Sequence, residues 1–253
     1  MRCIRMYRRL VFWSSIFGAA LLLMPDASAG MSKAPGRSDL ALVLAVDASG
    51  SIDGDDFRLQ LDGIANAFRQ RDVIGAIQSG SVGAIDVALL LWGGEVKDSI
   101  SSGWFRISTD REAAEFAAHV AAHPRHAYGT TSVGNGIVAA LALLREVAER
   151  ADRLCVDVSG DGRETMMLRG RRLGVAPTHA RFSAESMQVT INALAIQDED
   201  PGLGQWYRSN IVTGDGFVMT IDRADAFGAA IQSKLIREIR PLVIARTGPT
   251  RAD

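Results

Sequence analysis

Leu40 to Val46 (LALVLAV) is an unbroken apolar run that stops at Asp47. It is too short for a core helix, and a strand that is apolar at every position must be covered on both faces, as in parallel sheets. Ala84–Trp92 (AIDVALLLW), Leu154–Ser159 and Val189–Ile196 are further, mainly apolar runs of strand length. Between these runs lie segments with helical spacing. Phe57, Leu61, Ile64, Ala65 and Phe68 mark a helix to about Gln70, opened by Asp53 and Asp56 at capping-box spacing. Further helices are expected over Asp110–Ala122, from Val133 to about Arg150, and over Thr178–Met187. A last one is expected to be capped by Asp222 and Asp225, with Phe227, Ile231, Leu235 and Ile239 on one face. Trp104–Ile107 reads as a short edge strand, 163–177 as a long Arg- and Gly-rich loop, and Gln197–Asn210 as a surface loop. Ile211–Thr213 and Phe217–Thr220 read as a final strand kinked at Gly214-Asp215-Gly216. Strand–helix alternation predicts an α/β fold, doubly wound, with a mostly parallel central sheet and helices on both faces.

The amino terminus has a different logic. Arg2, Arg5, Arg8 and Arg9 precede an uncharged, mostly apolar run from Leu10 to Met24, and small residues Ala27 and Ala29 follow. Basic start, apolar middle and small-residue end make residues 1–29 a secretory signal peptide, too short in its apolar part for a membrane span. The expected layout is signal peptide 1–29, flexible lead 30–38, one domain over 39–240 and a tail over 241–253. The exported chain is expected in the periplasm or outside the cell, with no transmembrane span. Without residues 1–29, which hold four Arg and one Asp, its formal net charge is −4. That mild acidity argues against nucleic acid as a partner. Cys3 leaves with the signal, and Cys155, inside an apolar strand pattern, is expected in the core.

The first strand ends in Asp47-Ala48-Ser49-Gly50-Ser51, an Asp-x-Ser-x-Ser pattern. In a doubly wound sheet the carboxyl ends of the strands line the ligand crevice. One carboxylate and two hydroxyls on a tight loop are hard oxygen donors, suited to Mg²⁺, Mn²⁺ or Ca²⁺. Two other loops reach the same edge: Gly160-Asp161-Gly162 after the 154–159 strand, and Gly129-Thr130-Thr131-Ser132 before the helix at Val133. Each residue also has an ordinary role available, as a turn former or helix cap.

Together the stretches LVLAVDASGSI, GTTSVGNGI and VDVSGDG make the chain resemble the von Willebrand factor A family, and within it a bacterial exported subgroup. The resemblance runs from about Asp39 to Ile239 and implies a Rossmann-like fold with a metal-ion-dependent adhesion site. It implies that Ser49 and Ser51 ligate the ion directly, that Asp47 and Asp161 act largely through coordinated water, and that Thr131 joins directly or through water. Thr131 is favoured over Thr130 because Gly134 then follows three residues later. Three neutral hydroxyls leave the ion electrophilic, so the expected function is a binding module, not an enzyme, that grips a Glu or Asp carboxylate of a partner protein. A metal-dependent hydrolase and a purely structural metal are the alternatives. No His or Glu is tied by motif to the Asp47 loop, and the phosphate loop of nucleotide hydrolases is missing.

Arg163, Arg169, Arg171 and Arg172 cluster beside Asp161 and are candidates for holding an acidic partner, with a solvated loop as the alternative; Trp206 and Tyr207 are further candidate contacts, with ordinary packing as the alternative. His119, His123 and His126 have metal-like spacing, but no Glu lies between the first two, and a place at a helix carboxyl end explains them. Asp157 is an acid inside a strand, on the same side as Ser159, and reads either as support for the metal loop or as an exposed strand end.

Overall fold

The first strand, β1 (Leu40–Asp47), is buried at all eight positions, and its alternate residues enter two separate cores. Leu40, Leu42, Leu44 and Val46 point to one face; Ala41, Val43 and Ala45 point to the other. The computed structural model describes residues 36–125, 129–165, 167–168, 171–172 and 174–240. The candidate signal 1–29, the first part of the lead, His126, Arg169, the tail from 241, and the side chains of Arg171 and Arg172 lie outside the described residues.

Helices α1 (Gly54–Ala67) and α2 (Arg71–Gln78) follow β1 and lead to β2 (Ile85–Trp92). β3 (Ile100–Ser101) and β4 (Phe105–Ile107) then pair antiparallel with β2. Next come α3 (Asp110–Ala121), α4 (Val133–Arg145) and β5 (Leu154–Gly160). A two-stranded hairpin of β6 (Met167–Leu168) and β7 (Arg171–Arg172) precedes α5 (Pro177–Ser186) and β8 (Val189–Ile196). The chain continues through α6 (Leu203–Asn210) and β9 (Val218–Ile221) to α7 (Phe227–Ile239).

The sheet runs β3-β2-β1-β5-β8-β9, with all pairings among β2, β1, β5, β8 and β9 parallel. One core holds the faces of α1, α2, α3 and α7, and the other those of α4, α5 and α6, so the sheet is doubly wound as expected. The order reverses between β1 and β5, the switch point where open α/β sheets place ligands.

Several local expectations are corrected. The 197–210 segment ends in helix α6, whose Leu203 and Tyr207 fall one turn apart and are fully buried. Its polar composition hid a two-residue apolar face. Helix α2 is a second unread element, eight residues long with Val73, Ile74, Ala76 and Ile77 buried. Asp222 and Asp225 do not cap α7: its N-cap is Ala226, without a side-chain bond, and Asp225 pairs with Arg223 at the surface. Ile211–Thr213 is not strand, and the helix from Val133 ends at Arg145. The lead is also shorter than expected, because Ser38 is buried and donates to Asp86, and Arg37 pairs with Asp152. Asp53 does cap α1, accepting from the amides of Asp55 and Asp56 at 2.8 Å.

Asp157 belongs to neither of its expected places. It is buried in the middle of β5, with Lys234 Nζ of α7 2.6 Å from its Oδ1. The same ammonium lies 2.5 Å from Glu238 Oε1, which also accepts from Asn192 Nδ2 at 2.9 Å. Burial, then the Asp157 charge, pushes the Glu238 carboxyl up to about 8. Cys155 lies against Asn192 and is buried as expected, its thiol pushed up by desolvation. These groups tie α7 to β5, the strand that carries the Asp161 loop.

Candidate metal centre

Three loops meet above the carboxyl ends of β1 and β5. Asp47 closes β1 with its side chain fully buried. Its Oδ1 accepts from the Ser49 amide at 2.8 Å, which bends the chain into the tight loop the Asp-x-Ser-x-Ser pattern calls for. Its Oδ2 is buried and has no hydrogen-bond partner. The second loop places Thr131 Oγ1 3.2 Å from Ser49 Oγ. Gly129 opens that loop at φ +121°, a backbone that L side chains rarely adopt, and its carbonyl accepts from the Gly50 amide at 2.9 Å. The third loop brings Asp161 Oδ1 to 3.0 Å from Ser51 Oγ, which in turn lies 3.1 Å from Ser49 Oγ. Asp47, Ser49, Ser51, Thr131 and Asp161 therefore form one continuous polar cluster. Thr130 is exposed and outside it, whereas Thr131 is buried.

The donor set fits a hard divalent cation. All five groups offer oxygen, and neighbouring oxygens in a six-coordinate shell of about 2.0–2.1 Å radius stand about 3 Å apart. The hydroxyl contacts at 3.1 and 3.2 Å have that spacing. A buried carboxylate oxygen without a partner is costly unless something compensates it. The electrostatics agree. Burial, with Asp161 adding to it, raises the Asp47 carboxyl to about 7 even though Ser49 and Arg125 oppose the shift. Asp161 is raised as well, by burial and then by the charges of Glu199 and Asp56. Burial thus makes both carboxyls harder to ionise than in water, a penalty that a bound cation would relieve.

Sequence reasoning missed the groups that hold these loops. Arg125 Nη2 donates to the Ser49 carbonyl at 2.6 Å, with its guanidinium over the Phe57 ring. Thr165 is bonded to Thr131 three times: its amide donates to the Thr131 carbonyl at 2.8 Å, its Oγ1 donates to the same carbonyl at 3.3 Å, and its Oγ1 accepts from the Thr131 amide at 3.0 Å. Asn135 donates to the Gly94 carbonyl and accepts from the Val175 amide, both at 2.9 Å. Only Thr165 carried a hint, standing four residues after Asp161; nothing marks Arg125.

The expected partner contacts divide. Tyr207 is fully buried, which corrects its assignment as a surface contact; its ring fills the core beneath the loops. Trp206 is half-buried and packs against the same core. Arg163 makes a bidentate pair with Asp200, Nε at 2.5 Å and Nη2 at 2.9 Å, so its charge is already engaged. The backbones of Arg171 and Arg172 form β7. His119 and His123 stack at 5.5 Å, and among the described residues no three His, Cys, Asp or Glu are grouped to hold a metal.

Solved structures share this architecture at low sequence identity. The chain is similar to the pilus adhesin SpaC from Lactobacillus rhamnosus GG, with a TM-score of 0.59 and 16% identity over 81% of this chain and 31% of that one. It is similar to the vWF domain of the type V pili tip protein Mfa5 from Porphyromonas gingivalis, at TM-score 0.55 and 9% identity, covering 82% and 98% of the two chains. It is also similar to proximal thread matrix protein 1 from the mussel byssus with a zinc-occupied MIDAS motif, at TM-score 0.52 and 16% identity, covering 80% and 46%. The chain spans about a third of the length of the pilus adhesin and under half of the byssus protein. No curated protein matches. The fold is that of a von Willebrand factor A domain. Residues 37–243 match the family described as "Protein of unknown function (DUF1194)", and the chain belongs to that family.

Proposed function

We propose that this chain is an exported binding module that holds one divalent cation between Asp47, Ser49, Ser51, Thr131 and Asp161 and uses it to grip a carboxylate of a protein partner. The observation that carries the reading is the convergence of these five residues around an Asp47 oxygen that is buried without a partner. Mg²⁺ fits the oxygen donors best, with Mn²⁺ and Ca²⁺ as close substitutes. When bound, the ion supplies an electrophilic centre that attracts an anionic oxygen from outside.

The chain's own residues set the conditions. Asp47, rigid in β1 and bonded to the Ser49 amide, fixes the depth of the site. Thr165 holds Thr131 against Ser49, and Arg125 holds the Ser49 carbonyl from the other side. Asp53 and the first turn of α1, with Asp55 and Asp56, carry negative charge near Asp161 together with Asp198 and Glu199: Glu199 and Asp56 act on Asp161, and Asp53, Asp198 and Asp55 act on Asp56. An acidic partner residue therefore meets repulsion at the rim, which a bound cation offsets. This makes capture conditional on the metal. The likeness to pilus proteins and to a zinc-occupied MIDAS motif supports an adhesive role, and the basic, apolar and small-residue order of residues 1–29 supports export.

The test is capture from the envelope proteins of the source cell by the immobilised protein, in Mg²⁺ and in EDTA, beside Asp47→Ala. A partner retained in Mg²⁺, released by EDTA and lost with Asp47→Ala is the expected result. Capture that is identical in all three conditions contradicts the reading. Turnover of generic phosphate and ester substrates that disappears in Asp47→Ala would replace it with the hydrolase alternative.

A further inference from the structure

Tyr207 is fully buried, yet it carries a hydroxyl into the space under the metal loops. That hydroxyl donates to the Gly162 carbonyl at 3.2 Å. A Cβ placed on Gly160 would stand 2.9 Å from the same oxygen and 3.1 Å from both Cβ and Oδ2 of Asp47. The phenol thus reaches the carboxyl ends of β1 and β5, where Asp47 lies beside Gly160, and any side chain at Gly160 would displace it. Gly160 and Gly162 bracket Asp161, and a carboxylate between two glycines has much backbone freedom to lose before it can ligate anything.

Helix α6 restrains this loop at two points. Outside, Arg163 pairs with Asp200, and Asp200 Oδ1 accepts from the Gly202 amide at the start of α6. Inside, one turn into the helix, Tyr207 holds Gly162. We infer that Tyr207 is a positioning residue for the metal centre: through the Gly162 carbonyl its hydroxyl fixes the peptide that aims Asp161 at the Ser51 hydroxyl. Ring burial alone would be served as well by Phe. The hydroxyl is the part whose hydrogen bond leads to the site. The inference rests on the metal-binding reading above and assigns part of the ion's affinity to a helix outside the three ligand loops.

Tyr207→Phe keeps the ring and deletes the hydroxyl, so the fold survives. Calorimetric titration with Mn²⁺ should give a dissociation constant roughly three- to tenfold higher than wild type, the effect of one neutral hydrogen bond that orders a ligand. Phe182→Ser, at an exposed position of α5, should keep the wild-type constant. The two possible failures are separable. A wild type that takes up no Mn²⁺ overturns the metal reading and this inference with it. A wild type that binds, beside a Tyr207→Phe variant of unchanged affinity, overturns this inference alone, even if the metal-free variant melts earlier.

Discussion

Replacing Lys234 by Met should destabilise the protein in a way that depends on pH. The ammonium stands 2.6 Å from Asp157 Oδ1 and 2.5 Å from Glu238 Oε1, and all three side chains are buried. Burial disfavours the charge on Lys234, but Asp157 and Glu238 outweigh it and raise its pKa. Removing the cation leaves two carboxylates in the core, with Asn192 donating to Glu238. Breaking a buried pair in this way costs about 3–5 kcal/mol. For a domain of this size that is roughly 6–20 °C in melting temperature. The sign of the pH effect follows from Glu238. Its folded value of about 8 lies above its ordinary 4.5, so its contribution is fully present below 4.5 and is lost as pH rises toward 8. In Lys234→Met the carboxyl should hold its proton to still higher pH, which spares the variant at pH 5.5 and penalises it at pH 8.5. Thermal unfolding in EDTA at both values measures this. The triple variant Lys234→Met, Asp157→Asn, Glu238→Gln should regain most of the loss. A single variant that melts within 2 °C of wild type at pH 8.5 would refute the reasoning.

Further outcomes follow from the same structure. Because burial lifts Asp47 to about 7, its proton must leave before an ion enters, so Mg²⁺ affinity should rise as pH goes from 5.5 to 7.5 and level off above; a dissociation constant independent of pH contradicts this. Thr131→Ala removes a hydroxyl 3.2 Å from Ser49 and should weaken Mg²⁺ binding while the metal-free protein melts within about 2 °C of wild type, since the residue lies on a loop; thermal shift with and without metal separates the two effects. The exported protein should begin at Gly30, and intact-mass analysis that finds Met1 retained would end the signal-peptide reading.

The strands were legible because full burial leaves a mark in composition: β1, β2, β5 and β8 are apolar almost throughout, and their ends were placed within a residue or two. The three site loops were legible for a related reason, since each follows or precedes such an element at the sheet edge. What escaped were elements whose apolar face is only two to four residues wide, as in α2 and α6, where local composition looks polar and the packing partner is distant in sequence. Tyr207 shows the consequence, because reading 197–210 as loop put on the surface a ring that the fold buries completely. Asp157 was misplaced since its partner, Lys234, lies 77 residues further on, and no spacing rule connects a strand acid to a helix lysine at that distance. The supports Arg125 and Thr165 are likewise contacts between loops, created by the topology and unmarked by motif.

The central claim is that Asp47 anchors a divalent cation, and titration calorimetry with Mg²⁺ or Mn²⁺ on wild type and Asp47→Ala tests it most directly. The wild type should bind one ion per chain. At ten times the dissociation constant the ion should add about 1.4 kcal/mol of stability, or roughly 3–6 °C in melting temperature. Asp47→Ala should show neither the heat of binding nor the shift. Equal binding in both proteins, or none in the wild type, would contradict the account.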